Sequence, residues 1–207
     1  MKRCGVLLAG VAVVMLAVPG GAHADDAACV ARFKELLVEG NPGDGPTRNH
    51  VTQTYAGNTT ENYFHSMGSN TGEGVMQPLK NMGPMWVMFR DRKMYTSMDE
   101  GKSWKFGREL DAVSDPAVTR VKLAEDAKTA SGIACSEEEF NGATHQTVQG
   151  EYVSSLLNGG SVFHKYWVNT ETGWISKTET RSTVAGNESL AIQVLEPAPE
   201  FEFPKVD

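Results

Sequence analysis

From Thr47 onward the chain is written in short runs rich in Thr, Tyr, Val, Phe and Trp, each closed by a Gly, Asn or Asp turn. This alternation constrains the fold more than any other feature, because period-two runs between turn signals build hairpins. The runs predict strands near 48–56, 60–67, 85–90, 93–98 and 102–107, then near 133–139, 144–154, 161–168, 174–184 and 189–195. The turns between them include Gly57-Asn58, Asn141-Gly142, Asn158-Gly159-Gly160 and Gly186-Asn187. About ten meandering strands curl into a sandwich, a barrel or a half-open barrel. No internal repeat and no linker interrupts them.

Helices are expected at two places. Val30, Phe33, Leu36 and Leu37 recur at helical spacing within 27–39, and Gly40-Asn41-Pro42-Gly43 ends the run. Asp115-Pro116 opens a weaker helical stretch near 116–130. A helix laid against a curved sheet covers its concave side. The tail, 197–207, contains three prolines and is expected as an extended edge or loose end.

The first 24 residues read as a cleaved secretory signal. Lys2 and Arg3 precede an apolar run from Val6 to Val18, and Ala22-His23-Ala24 supplies the small residues a signal peptidase reads. The run is too short to cross a bilayer comfortably, and no later stretch approaches that length. Cleavage leaves 183 residues and moves the net charge from −7 to −9. That sign argues against nucleic acid as a partner. Of three cysteines, Cys4 leaves with the signal. Cys29 and Cys135 remain, an even pair expected to form a disulfide in an oxidising compartment.

All seven methionines after the signal lie between Met67 and Met98, near Trp86 and Phe89. Methionine is flexible and polarizable, so such a cluster suits either a core or a surface for apolar ligands. The expected hydrophobic lining is Trp86, Met88, Met94, Met98, Phe163 and Trp167. A copper-handling alternative would use His65, Met67, Met82 and Met85, since thioethers select Cu(I). Its spacing is loose, and otherwise no metal or cofactor is expected. Ser97 to Trp104 resembles an Asp-box, a hairpin motif in which Asp99 caps the turn and Trp104 packs beneath. One copy predicts a good hairpin and no glycoside hydrolysis. His50, His65, His145 and His164 show no metal-ligand spacing, and no Gly-x-Ser-x-Gly is present. No catalytic residue is expected, and an enzyme is the least supported reading.

Three segments together resemble the LolA-like superfamily of periplasmic lipoprotein and lipid carriers. They are Arg92–Ser97 running into Gly101–Lys105, Glu139–Ala143 with the strand to Tyr152, and Tyr166-Trp167-Val168-Asn169 through Thr172-Gly173 to Lys177. The resemblance implies an α+β fold, mainly antiparallel: a half-open curved barrel with the N-terminal and mid-chain helices against its concave face. It makes 25–207 one LolA-like domain and places it in the periplasm. The implied function is non-catalytic binding and transport of a lipid, acyl chain or other hydrophobic ligand, with an acylated protein as a further partner. The alternatives from other classes are copper handling and an envelope scaffold that binds another protein. No functional residue carries over from the family.

Overall fold

The computed structural model describes residues 23–24, 26–42, 45–68, 72–111, 114–184 and 186–206. The signal read at the N-terminus lies outside these, apart from a two-residue strand, β1 (His23–Ala24). The first helix, α1 (Ala27–Glu39), starts where Asp26 accepts the Ala28 N–H at 3.1 Å. It stops at Gly40, whose φ of 71° lets its N–H reach the Leu36 carbonyl at 3.0 Å. Cys29, Phe33, Leu36 and Leu37 form its buried stripe. The second helix, α2 (Pro116–Asp126), is capped by Asp115, with Pro116 in the first turn where its missing N–H costs nothing.

Apart from two short 3-10 turns, at Ala127–Thr129 and Ser155–Leu157, the remaining elements are strands. They are β2 (Thr47–Tyr55), β3 (Asn58–Ser66), β4 (Gly74–Lys80), β5 (Trp86–Arg90), β6 (Lys93–Ser97) and β7 (Lys105–Glu109). After α2 come β8 (Ser131–Phe140), β9 (Ala143–Ser154), β10 (Gly160–Asn169), β11 (Ile175–Val184) and β12 (Asn187–Pro197). They form one antiparallel sheet in the order β1-β8-β9-β10-β11-β12-β2-β3-β4-β5-β6-β7. The sheet curves without closing, so the expected α+β half-open barrel is the architecture observed.

Two strands differ from expectation for local reasons. β4 escapes the period-two reading because Pro78 interrupts it. The proline is tolerated at a register shift, where Asn62 pairs with Pro78 while Glu61 pairs with Lys80. β7 begins at Lys105 because the Asp-box turn takes the preceding residues. There Ser97 and Ser103 hydroxyls donate to Asp99 at 2.7 and 2.6 Å, and the Gly101 N–H donates to Ser97 Oγ at 2.9 Å. Gly101 has φ +82° and lies so close to Trp86 that a Cβ would come within 3.3 Å of its ring.

The core sits between α1 and the β8–β11 end of the sheet. Phe33 is fully buried against Tyr166, ring centroids 6.1 Å apart, with Ile133, Val148, Val162 and Val168 around it. The Cys29–Cys135 disulfide ties α1 to β8. The tail after Pro197 is tied down as well. Phe201 stacks on His65 at 4.6 Å, Phe203 lies under the Arg90 guanidinium, and Arg90 donates to the Pro204 carbonyl at 3.3 Å.

Candidate functional site

Strand pairing assigns every side chain to one of two faces, because neighbours along a strand alternate. Tyr166 pairs with Thr178, Thr178 with Gln193, Gln193 with Val51, and Val51 with Asn62. These five form a row across five strands on the face that meets α1, the inner face. Leu195, Asn49 and Phe64 make the adjoining row. α1 covers only the β8–β10 side, and beyond it a cavity of 560 Å³ opens between helix and sheet. Leu36 and Leu37 of α1 and Leu123 of α2 form its roof. Val51, Phe64, Ile175 and Leu195 supply apolar floor, and Thr47, Asn49, Asn62, Ser66, Thr178 and Gln193 supply neutral hydrogen-bonding groups.

Two local structures hold the cavity in shape. Asn41, just past α1, is 7% exposed and bonds the Ile175 backbone on both sides, accepting its N–H and donating to its carbonyl. It therefore fixes the end of the helix to the start of β11. His164 stacks between Tyr152 and Tyr166, at centroid distances of 6.0 and 5.1 Å. Its Nε2 lies 2.6 Å from Thr180 Oγ1. Burial pushes the His164 pKa down to about 4, so the ring is uncharged at neutral pH. Burial likewise pushes the Tyr152 hydroxyl up to about 12 and the Tyr166 hydroxyl above its ordinary range. Glu73, a carboxylate of the lining, accepts the Asp91 N–H at 3.2 Å.

The six residues expected to line a hydrophobic site do not gather in this cavity. Met94 is on the inner face, paired with Phe89 towards the β7 edge. Trp86 and Met88 point to the outer face. Met88 pairs with Val75, and Val75 with His65, in a row that the Phe201–Phe203 tail covers; Met88 is 0% exposed. Trp167 is also on the outer face, held between the Lys165 and Lys177 ammonium groups at 4.5 and 4.1 Å, and its Nε1 donates to Glu138 at 2.9 Å. Lys165, bonded to the same carboxyl, holds Glu138 below the usual carboxylate range. Phe163 lies under Arg181 in a separate outer hollow of 850 Å³, whose rim carries Glu151, Arg181 and Glu188. Met98, in the Asp-box turn, is 68% exposed.

The residues of the copper alternative belong to different elements. His65 is stacked on the outer face, whereas Met82 and Met85 belong to the turn between β4 and β5. Among the described residues no group of three or more His, Cys, Asp or Glu could hold a metal. The inner-face residues that do form the cavity carry a sequence signal of their own. In β11, Lys177, Glu179 and Arg181 alternate with Thr178, Thr180 and Ser182, so one face is charged and the other is neutral.

No family model and no curated protein matches the chain. Among solved structures it is similar to a LolA superfamily protein from Nitrosomonas europaea, at 10% identity and a TM-score of 0.34, over 86% of this chain and 94% of that one. It is similar to a domain described as an outer membrane lipoprotein-sorting protein from Vibrio parahaemolyticus, at 10% identity and a TM-score of 0.34, over 84% and 92%. A DUF1329 family protein from Desulfovibrio piger is similar at 8% identity and a TM-score of 0.26, over 81% and 88%. All three are likenesses of fold.

Proposed function

We propose that this chain is an exported, non-catalytic carrier that holds the apolar part of a lipid or acylated ligand in the cavity between α1 and the inner face. The single observation that carries the reading is the cavity itself. Its 560 Å³ falls in the range of small-molecule sites, and aliphatic side chains supply both its roof and much of its floor. Ten methylenes moved from water into it would contribute roughly 8 kcal/mol before the cost of association is subtracted. A micromolar complex needs about 8 kcal/mol net, so hydrogen bonds to the cavity wall or a longer buried chain must offset the association cost. His164 in the lining is uncharged, stacked between two tyrosines and bonded through Nε2 to Thr180. The disulfide suits an oxidising compartment such as a periplasm. Of the six residues expected from the sequence, Met94 is the one this proposal keeps, as the continuation of the inner face.

The test is binding of N-phenyl-1-naphthylamine, a fluorescent apolar probe, to the mature protein and to Val51→Trp, which fills the middle of the floor. The expected result is micromolar binding by the wild type and at least tenfold weaker binding by the variant, with little change in melting temperature. Gln193→Trp fills the same row and serves if Val51→Trp does not fold. No binding by the wild type, or equal binding by folded variants, refutes the proposal.

A further inference from the structure

We infer that the ligand's polar end is uncharged: a head carrying hydroxyl or amide groups, and neither a carboxylate nor a phosphate. This rests on the carrier reading and names the class of ligand for the same site. The observation behind it is a segregation of charge in the strands that floor the cavity; only at β7 and β8, away from its lining, do Lys105, Arg108, Glu137 and Glu139 pair with inner-face residues. In β2–β6 and β9–β12 every Lys, Arg, Asp and Glu lies on the outer face, by register and alternation. Arg48, Glu61, Lys165, Lys177, Arg181 and Glu196 are examples, and each pairs or stacks with an outer-face neighbour.

The inner face of the same strands is polar without being charged. Asn62 and Gln193 stand on either side of Val51, about 10 Å apart at the usual strand spacing. Thr178 and Asn49 extend the set, and all four face the cavity. Such a wall can both donate to and accept from a hydroxyl or amide head. Among the described lining residues there is no Lys or Arg to meet an anion. Glu73, in the same lining, is itself a carboxylate and already accepts the Asp91 N–H. Moving an ionised carboxylate or phosphate out of water without a partner charge is costly, so an anionic head would have to stay at the mouth and forfeit chain burial.

The experiment compares three probes with one acyl chain, monoolein, oleate and oleoyl lysophosphatidic acid, as displacers of N-phenyl-1-naphthylamine from the mature protein at pH 8. Monoolein is expected to displace the dye at a concentration at least tenfold below either anion. Displacement by the anions at equal or lower concentration overturns this inference and leaves the carrier reading intact. If none of the three displaces bound dye, both fall. Gln193→Lys puts a cation into the wall and should bring oleate within about threefold of monoolein. Thr178→Lys does the same if that variant is unstable, and an unchanged tenfold gap in a folded lysine variant also overturns the inference.

Discussion

Phe33 and Gly150 interlock, and the interlock predicts a coupled stability change. The Phe33 ring is fully buried, and β9 makes room for it by having no side chain at residue 150. A Cβ there would lie 3.1 and 3.2 Å from two Phe33 ring atoms and 2.9 Å from Ile133 Cγ1. Phe33→Ala leaves a void floored by backbone, which cannot relax to fill it. The expected loss is about 4 kcal/mol, in the usual range for a buried phenylalanine. With a urea slope of roughly 2 kcal/mol per molar, the unfolding midpoint should fall by about 2 M. Gly150→Ala should cost on the order of 2 kcal/mol by overpacking. In the double variant the added methyl group enters the space Phe33 has left, so the combined loss should be at least ~1 kcal/mol smaller than the two single losses together. Urea titrations of all four proteins, followed by circular dichroism, measure this. Additive losses, or a Phe33→Ala midpoint within ~0.5 M of wild type, would refute the interlock.

Two further outcomes follow from single groups. The Cys29–Cys135 bridge closes a loop of 106 residues, so Cys29→Ala with Cys135→Ala should cost about 5 kcal/mol on the chain-entropy account, read as a lower urea midpoint; a loss under ~1 kcal/mol would show that the bridge constrains the unfolded chain little. His164, with its pKa lowered from 6.5 to about 4, binds its proton more readily in the unfolded chain, so stability should fall as pH drops from 6.5 to 4, by on the order of 3 kcal/mol. His164→Phe keeps a ring in the stack and should remove that part of the slope, whereas parallel pH profiles for the two proteins would contradict the burial of the imidazole.

Most of the architecture was legible because punctuation and period agree along this chain. α1 runs over 27–39 as its apolar spacing and Gly40 require, and ten strands lie within a few residues of where the turns place them. β4 was not legible, because its proline is admissible only at a bulge that the partner strand creates. The cavity was misplaced for a different reason. Apolarity says that a residue is buried without saying on which face. Met88 and Trp167 are both buried, one under the C-terminal tail and the other under lysine stems, on the side away from α1. No local signal announces that the outer face of this sheet would also be covered.

The neutral inner face explains why a cavity exists at all. At 1.5 Å per residue, the 13 residues of α1 span about 20 Å. Strands spaced about 4.8 Å apart make a sheet of this order roughly 50 Å wide. One helix therefore covers the β8–β10 end, where Val148, Val162 and Val168 meet Phe33, and stops. The remaining inner face could have been closed by more apolar side chains folding in on themselves. Thr47, Asn49, Asn62, Thr178 and Gln193 stand there instead, and such groups stay hydrated at little cost while their aliphatic neighbours do not. A surface of that mixture holds water loosely and gains by exchanging it for a ligand with an apolar body and hydrogen-bonding groups. Charged groups sit across the sheet instead, on Arg48, Glu61, Lys177 and Glu196, facing away from the cavity. On the proposed carrier reading, ligand retention and the charged surface are assigned to opposite faces of the same strands, by alternation alone.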